Sequence, residues 1–315
     1  MGRPAFIGID VSKRTLDVAF GPDGPVRTLA YDGDGLRRLG RLLAAVPDPF
    51  VCLEGTGGYE RPLPRALAAA GVPYARVNPR QARRFAQAAG RLDKTDRLDA
   101  RLLALYAERM RPGADEPPSA RAEKRRDLDA RRRQVVEQIT RERNRLAQAA
   151  DPDVRRLIGR AVGLYEDRLR ELDGLIAEAV AADESARRAV RRMTGVPGVG
   201  AVTASRLVAL PPELGTLNRR EVARLAGLAP VCRDSGTLRG RRAIGGGRPE
   251  VRSALYMATL VATKHNPTLR AFYRRLVERG KAKMAALAAA MRKLLTILNA
   301  LLKTGSDWRP LPEPA

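Results

Sequence analysis

Apolar positions cluster in short runs over the first hundred residues. Ala5-Phe6-Ile7-Gly8-Ile9-Asp10-Val11 is an apolar run with a carboxylate near its end and predicts a buried strand. Thr15 to Phe20 alternates as a second strand, and the Gly and Asp residues of Gly21 to Pro25 mark a hairpin-like turn. A helix is predicted near Gly35 to Ala45, a strand over Phe50-Val51-Cys52-Leu53-Glu54, a helix near Arg61 to Ala70 and a strand over Val72 to Val77. Helices flank the stretch Gly90 to Ala100. Strands alternating with helices predict an α/β domain over roughly residues 1–110.

The pattern then changes. Pro112-Gly113-Ala114-Asp115-Glu116-Pro117-Pro118-Ser119 has the composition of a linker. From Ala120 to Arg192 there is one proline, Pro152, and little glycine, which predicts two long charged helices turning near Asp151-Pro152-Asp153. Leu128, Val135, Ile139 and Leu146 fall at heptad spacing, interrupted by Arg132 and Glu142, and Val154, Ile158, Ala161, Tyr165, Leu172, Ile176 and Ala179 continue an apolar stripe. An antiparallel helical hairpin fits, packed on its own chain or on another copy. Gly195-Val196-Pro197-Gly198-Val199-Gly200 before a helical Ala201 to Leu210 has the form of a helix-hairpin-helix, followed by a helix over Arg220 to Leu228. From Val251 onward the chain reads as helical. Met284 to Leu302 is its longest apolar segment, but Arg292 and Lys293 break it, so it is not a membrane span. His265 reads as a turn residue, and Trp308 lies in a proline-rich tail and gives no signal. The organisation expected is thus 1–111, a linker at 112–119, a helical hairpin or coiled coil at 120–192, a mostly helical domain at 193–305 and a tail at 306–315.

Charge changes this picture most. The chain carries 59 basic and 35 acidic side chains, net +24, and residues 193–315 hold 21 basic against 7 acidic, net +14. A polyanion is the natural partner of such a surface. Two cysteines, Cys52 and Cys232, make neither a disulfide framework nor a metal cluster. The N-terminus enters an apolar strand directly, without a signal peptide, which predicts a cytoplasmic protein.

Three groups of residues carry candidate chemistry. Asp10 and Glu54 close apolar strands, and an acid beside a buried sheet costs desolvation energy unless something pairs with it. With Asp96 and Asp99, one helical turn apart and flanked by Lys94, they make four acids that could converge at one sheet edge and hold Mg²⁺ or Mn²⁺ for phosphoryl transfer. Gly198 and Gly200 would let backbone N–H groups approach a phosphate. Arg233, Arg239, Arg241, Arg242, Arg248 and Arg252 put forked cations on a glycine-rich backbone suited to a phosphodiester. Ser235 sits within that field, where a developing charge on phosphorus would be stabilised.

Several motifs in this order resemble one family. They are Ile7-Gly8-Ile9-Asp10-Val11-Ser12-Lys13, Glu54-Gly55-Thr56-Gly57-Gly58-Tyr59, Val77-Asn78-Pro79-Arg80-Gln81, Lys94-Thr95-Asp96-Arg97-Leu98-Asp99-Ala100, Pro197-Gly198-Val199-Gly200, Gly227-Leu228-Ala229-Pro230 through Ser235-Gly236, and Arg252-Ser253-Ala254-Leu255-Tyr256-Met257. Over nearly the whole chain the sequence resembles the "IS one-ten" insertion-sequence transposases, the bridge-RNA-guided DNA recombinases.

The resemblance implies an N-terminal RuvC-like, ribonuclease-H-type domain with an Asp-Glu-Asp-Asp metal site, matched by Asp10, Glu54, Asp96 and Asp99. It also implies a coiled-coil insert used in assembly as a dimer or tetramer, and a C-terminal transposase domain whose nucleophilic serine is carried onto Ser235, with Ser205 and Ser253 nearby. A structured guide RNA would pair with donor and target DNA. The expected activity is cutting and rejoining of DNA through a serine phosphodiester. A junction nuclease without a covalent intermediate and a non-catalytic nucleic-acid scaffold are the alternatives.

Overall fold

The computed structural model describes residues 4–55, 62–90, 96–117, 119–210, 213–231 and 243–310, without the side chains of 96–98 and 231. Contacts divide the chain into two compact units, Met1–Pro118 and Ser119–Ala315.

The first unit is a mixed sheet with helices. Strands β1 (Ala5–Val11), β2 (Thr15–Ala19), β3 (Val26–Ala30), β4 (Pro49–Glu54) and β5 (Tyr74–Val77) lie in the order β3-β2-β1-β4-β5. β1, β2 and β3 are antiparallel, whereas β1, β4 and β5 run parallel. β3 was not among the predicted strands. It is an edge strand in which only Leu29 is buried, so Val-Arg-Thr-Leu-Ala gives little apolar pattern.

Among the described residues four helices complete the unit: α1 (Gly33–Ala44), α2 (Pro62–Ala69), α3 (Pro79–Ala88) and α4 (Asp96–Met110). Alternation along the strands gives the sheet two faces. Ile7, Ile9, Val11, Leu16, Val18, Val51 and Leu53 pack with Leu39 and Leu43 of α1 and Leu63 and Leu67 of α2. On the other face Cys52, Val77, Phe6 and Phe50 meet Ala82 of α3 and Leu103, Ala107 and Tyr106 of α4. Part of the linker-like stretch is fixed to this unit. Asp115 N–H donates to the Tyr74 carbonyl at 2.7 Å, and its carboxylate accepts from Arg76 Nε at 2.7 Å, so Asp115 extends the hydrogen bonding of the β5 edge.

The described residues of the second unit are almost wholly helical. α5 (Ala120–Gln148) and α6 (Pro152–Ala181) pack on each other as an antiparallel pair. Asp151 caps α6 by accepting from Val154 N at 2.9 Å, and Arg155 Nη1 donates to the open Leu146 and Ala149 carbonyls at the end of α5. Ion pairs Arg132 to Asp173 (2.6 Å) and Arg143 to Glu166 (2.6 Å) cross the pair.

The stretch 120–192 contains three helices rather than the two predicted. α6 stops at Ala181, and Asp183 caps a separate α7 (Glu184–Thr194) while pairing with Arg125 of α5 at 2.7 Å. An Asp in a charged run offers the periodicity no sign of a break, and only the Ser185 and Ala186 amides that donate to it make it a cap.

α8 (Ala201–Ala209), α9 (Arg219–Leu225), the short ribbon β6 (Pro230–Val231) with β7 (Ala243–Ile244), α10 (Pro249–His265), α11 (Pro267–Glu278) and α12 (Lys283–Thr304) follow. Their core joins Met193, Val196, Leu207, Val222, Leu255, Leu269, Leu294 and Leu298. α12 is long and apolar enough to cross a membrane by length and composition, yet Leu287, Leu294, Leu295, Leu298 and Leu301 are buried in the protein, as in a core helix.

Candidate active site

The sheet register brings the first two acids together. β1 and β4 pair with Ile9 beside Leu53, so Asp10 and Glu54 occupy the next position along each strand, on one face at the strands' C-terminal ends. Neighbouring strands lie about 4.8 Å apart. On the opposite side of β1, Asp10 pairs in register with Asp17 of β2, which is 8% exposed and accepts a hydrogen bond from Thr28 Oγ1. Asp17 was not among the predicted site residues. Its place in an alternating strand after a three-residue turn was the available signal.

A glycine brings α4 to this face. A Cβ on Gly8 would lie 1.9 Å from the Ala100 carbonyl oxygen and 2.5 Å from the Ala104 nitrogen, so helix and strand touch there backbone to backbone. Leu103 and Ala107 pack beside Phe6 and Phe50 near the start of the strands. α4 therefore runs opposite to β1, and its first turn, with Asp96 and Asp99, lies toward the strand ends that bear Asp10 and Glu54. Its N-terminal dipole favours nearby carboxylates.

Asp10, Glu54 and Asp99 are each partly exposed, and none of the three is without a partner. The Asp96 side chain lies outside the described residues. Among the described residues, no three His, Cys, Asp or Glu side chains form a group that could hold a metal ion. Cys52, on the same face, is no candidate ligand: burial first, and the charge of Asp115 second, push its thiol up to about 12.

Much of the C-terminal set falls outside the described residues: Ser235, Arg233, Arg239, Arg241 and Arg242, as does Lys94 of the acid stretch. β6 and β7 pair on either side of that segment, Pro230 opposite Ile244 and Val231 opposite Ala243. The two nearby serines differ. Ser205 is 8% exposed inside α8, beside Arg125, Asp129 and Arg206, whereas Ser253 is exposed on α10.

Two of the arginines hold the fold. Arg248 donates to both oxygens of Glu213 (2.8 and 2.6 Å), and Arg252 Nη1 donates to the Ala226 and Gly246 carbonyls, each at 3.1 Å. Gly198 has φ 98° and sits where a Cβ would come within 2.6 Å of Ala262, so α10 demands a glycine there for packing. Gly200 caps α8 with no side-chain partner and open space beside it, and its backbone stays approachable.

Comparison with known proteins matches both units. Residues 7–151 match a transposase model, DEDD_Tnp_IS110, and residues 190–274 match a model for the transposase IS116/IS110/IS902 family. The chain belongs to the IS110 family of transposases. It is 28% identical over 308 residues to the pilin gene-inverting protein of Moraxella bovis, 95% of each chain, and equally to that of Moraxella lacunata. An uncharacterized 43.6 kDa protein of insertion element IS110 from Streptomyces coelicolor is 31% identical over 118 residues, 37% of this chain and 29% of its own. This IS110-family member is accordingly a DNA transposase or recombinase. All four acids lie inside the first match, and the glycine turn, both β6 and β7 and the arginine-rich segment lie inside the second.

Proposed function

We propose that the transposase cuts and rejoins DNA through a serine phosphodiester, with Asp10, Glu54, Asp96 and Asp99 as its metal-binding acids and Ser235 as its nucleophile. The observation that carries this reading is the convergence of strand ends and α4 on one sheet face, fixed by Gly8 against Ala100. The strand order β3-β2-β1-β4-β5 supports the RuvC-like, ribonuclease-H-type reading of the first unit.

An all-carboxylate donor set of this kind suits a hard divalent cation, Mg²⁺ or Mn²⁺. Such an ion, when bound, supplies a Lewis acid for a phosphoryl oxygen. The residues supply the rest. Ser235 Oγ forms a bond to phosphorus as the bond to the 3′ oxygen breaks, which leaves a phosphoserine on one DNA end and a free 3′ hydroxyl. A 3′ hydroxyl of the exchanged strand then displaces the serine, so bond energy is conserved and no nucleotide triphosphate is consumed. The arginines from 233 to 252 neutralise phosphate charge, with Arg248 also paired to the Glu213 carboxylate and Arg252 also holding the Ala226 and Gly246 carbonyls. Ser205, being buried, is the weaker alternative nucleophile and Ser253 the stronger.

The net +14 of residues 193–315 supports nucleic-acid partners, donor and target DNA together with a structured guide RNA, in the cytoplasm. Assembly through the α5–α6 pair is supported by apolar side chains left exposed on α6, where Val154, Leu157 and Leu164 fall at heptad spacing. RNA co-purified from cells expressing the element tests the guide: a discrete species encoded beside the gene supports it, and bulk cellular RNA alone argues against it.

A further inference from the structure

The second unit contains a cavity that the chemistry above does not use. It is an open cleft among α9, α11, α12 and residues 305–309 with a volume of about 960 Å³, near the upper end of the roughly 300–1,000 Å³ typical of ligand pockets. One wall is made by the end of α12. Gly305 takes a left-handed conformation, φ 69°, and the turned chain packs Trp308 back against the helical core. Asp307, Trp308 and Arg309 thereby line the cavity.

The lining combines cations with aromatic rings. Arg219, Arg292, Lys293 and Arg309 face it against a single carboxylate, Asp307. Among the described residues none of these four cations forms an ion pair. Phe272 holds two cations over its ring, Arg275 and Lys293, each 5.7 Å from the centroid. An extended phosphate backbone would need cations only. A concave site with an indole inside a cationic rim also accepts a planar, apolar face, and a nucleotide offers both.

We propose that this pocket takes an unpaired nucleotide of a single-stranded nucleic acid, its base against Trp308 and its phosphate on Arg292 and Arg309. Duplex DNA is excluded because its bases present their faces to one another and not to the protein. The proposal uses neither the four acids nor Ser235 and is tested by binding alone, so it stands or falls independently of the cleavage chemistry.

Trp308 is the only tryptophan of the chain, so intrinsic fluorescence reports on this pocket. The full-length protein is titrated with a short single-stranded DNA, the RNA of the same sequence, the corresponding duplex, and heparin as a polyanion without bases. Saturable quenching by a single strand, at concentrations about tenfold or more below the duplex, is the expected result. The stronger of the DNA and RNA arms identifies the source. With a labelled single strand, Arg292→Gln and Arg309→Gln should each reduce the slope of log affinity against log salt by about 0.7. Trp308→Ala should lose about tenfold in affinity and Trp308→Phe should retain most of it. Equal quenching by duplex or heparin, no quenching by either single strand, or unchanged binding by both arginine variants overturns the proposal. Arg309 is exposed, so its variant keeps the test independent of folding.

Discussion

Gly8 of β1 and Ala100 of α4 meet backbone to backbone, with space for a hydrogen but not a methyl group: a Cβ on Gly8 would stand 1.9 Å from the Ala100 carbonyl oxygen. This approach sets how closely the first turn of α4 comes to the strand ends that carry Asp10 and Glu54.

Gly8→Ala should therefore act on both stability and chemistry. Overpacking costs about 1–3 kcal/mol, and here the obstacle is backbone, which does not swing aside. The melting temperature should fall, and DNA cleavage should fall further than the loss of folded protein explains. Normal activity in the fraction that remains folded would show that the α4 position is not critical.

Asp183 should make the second unit acid-sensitive. Burial pushes its carboxyl up, but hydrogen bonds from Arg125 and the Ala186 and Ser185 amides, with the charge of Arg125, leave it below the ordinary value. A depressed carboxylate contributes stability above its unfolded pKa and loses it as pH falls through the native one. Unfolding measured down from neutral pH should show this loss set in as pH falls through the ordinary carboxylate range and continue below it, and Asp183→Asn should flatten it. Asp183→Ala also removes the α7 cap and the partner of the largely buried Arg125, at about 3–5 kcal/mol.

How much of this was legible in sequence depends on the kind of signal. Ile7 to Val11 and Val51 to Leu53 announce buried strands because both faces are covered, and the acids at their ends follow from the same runs. The Gly8 contact was not legible, since a glycine in a strand does not name its neighbour. Asp183, Asp115 and Trp308 were missed for one reason: each is a single residue whose role comes from a distant partner, Arg125, Arg76 or the helical core. Ser235 and its arginines rest on the family resemblance and the pattern of charge.

Cys52 should be inert in the folded protein. With its thiol pushed up to about 12 by burial, then by Asp115, almost no thiolate exists at pH 8, and alkylation requires the thiolate. Peptide mapping after iodoacetamide treatment should find Cys52 unmodified natively and modified in denaturant. Native modification would mean that the α4 face of the sheet opens.

The exposed apolar side chains of α6 should mediate self-association. Leu157 and Leu164 are 60% and 58% exposed, and Leu157→Asp with Leu164→Asp should shift sedimentation toward the monomer without changing helicity. An unchanged oligomer would place assembly on another surface.

The central claim is that the acids and Ser235 act together on one phosphodiester, and trapping the protein on its DNA tests it most directly. On a denaturing gel, labelled element-end DNA with Mg²⁺ should give a covalent adduct with the unaltered protein. Asp10→Asn, Ser235→Ala and EDTA should each abolish it while DNA binding persists. Adduct formation by Ser235→Ala, or nicked DNA with no adduct from the unaltered protein, would contradict the account.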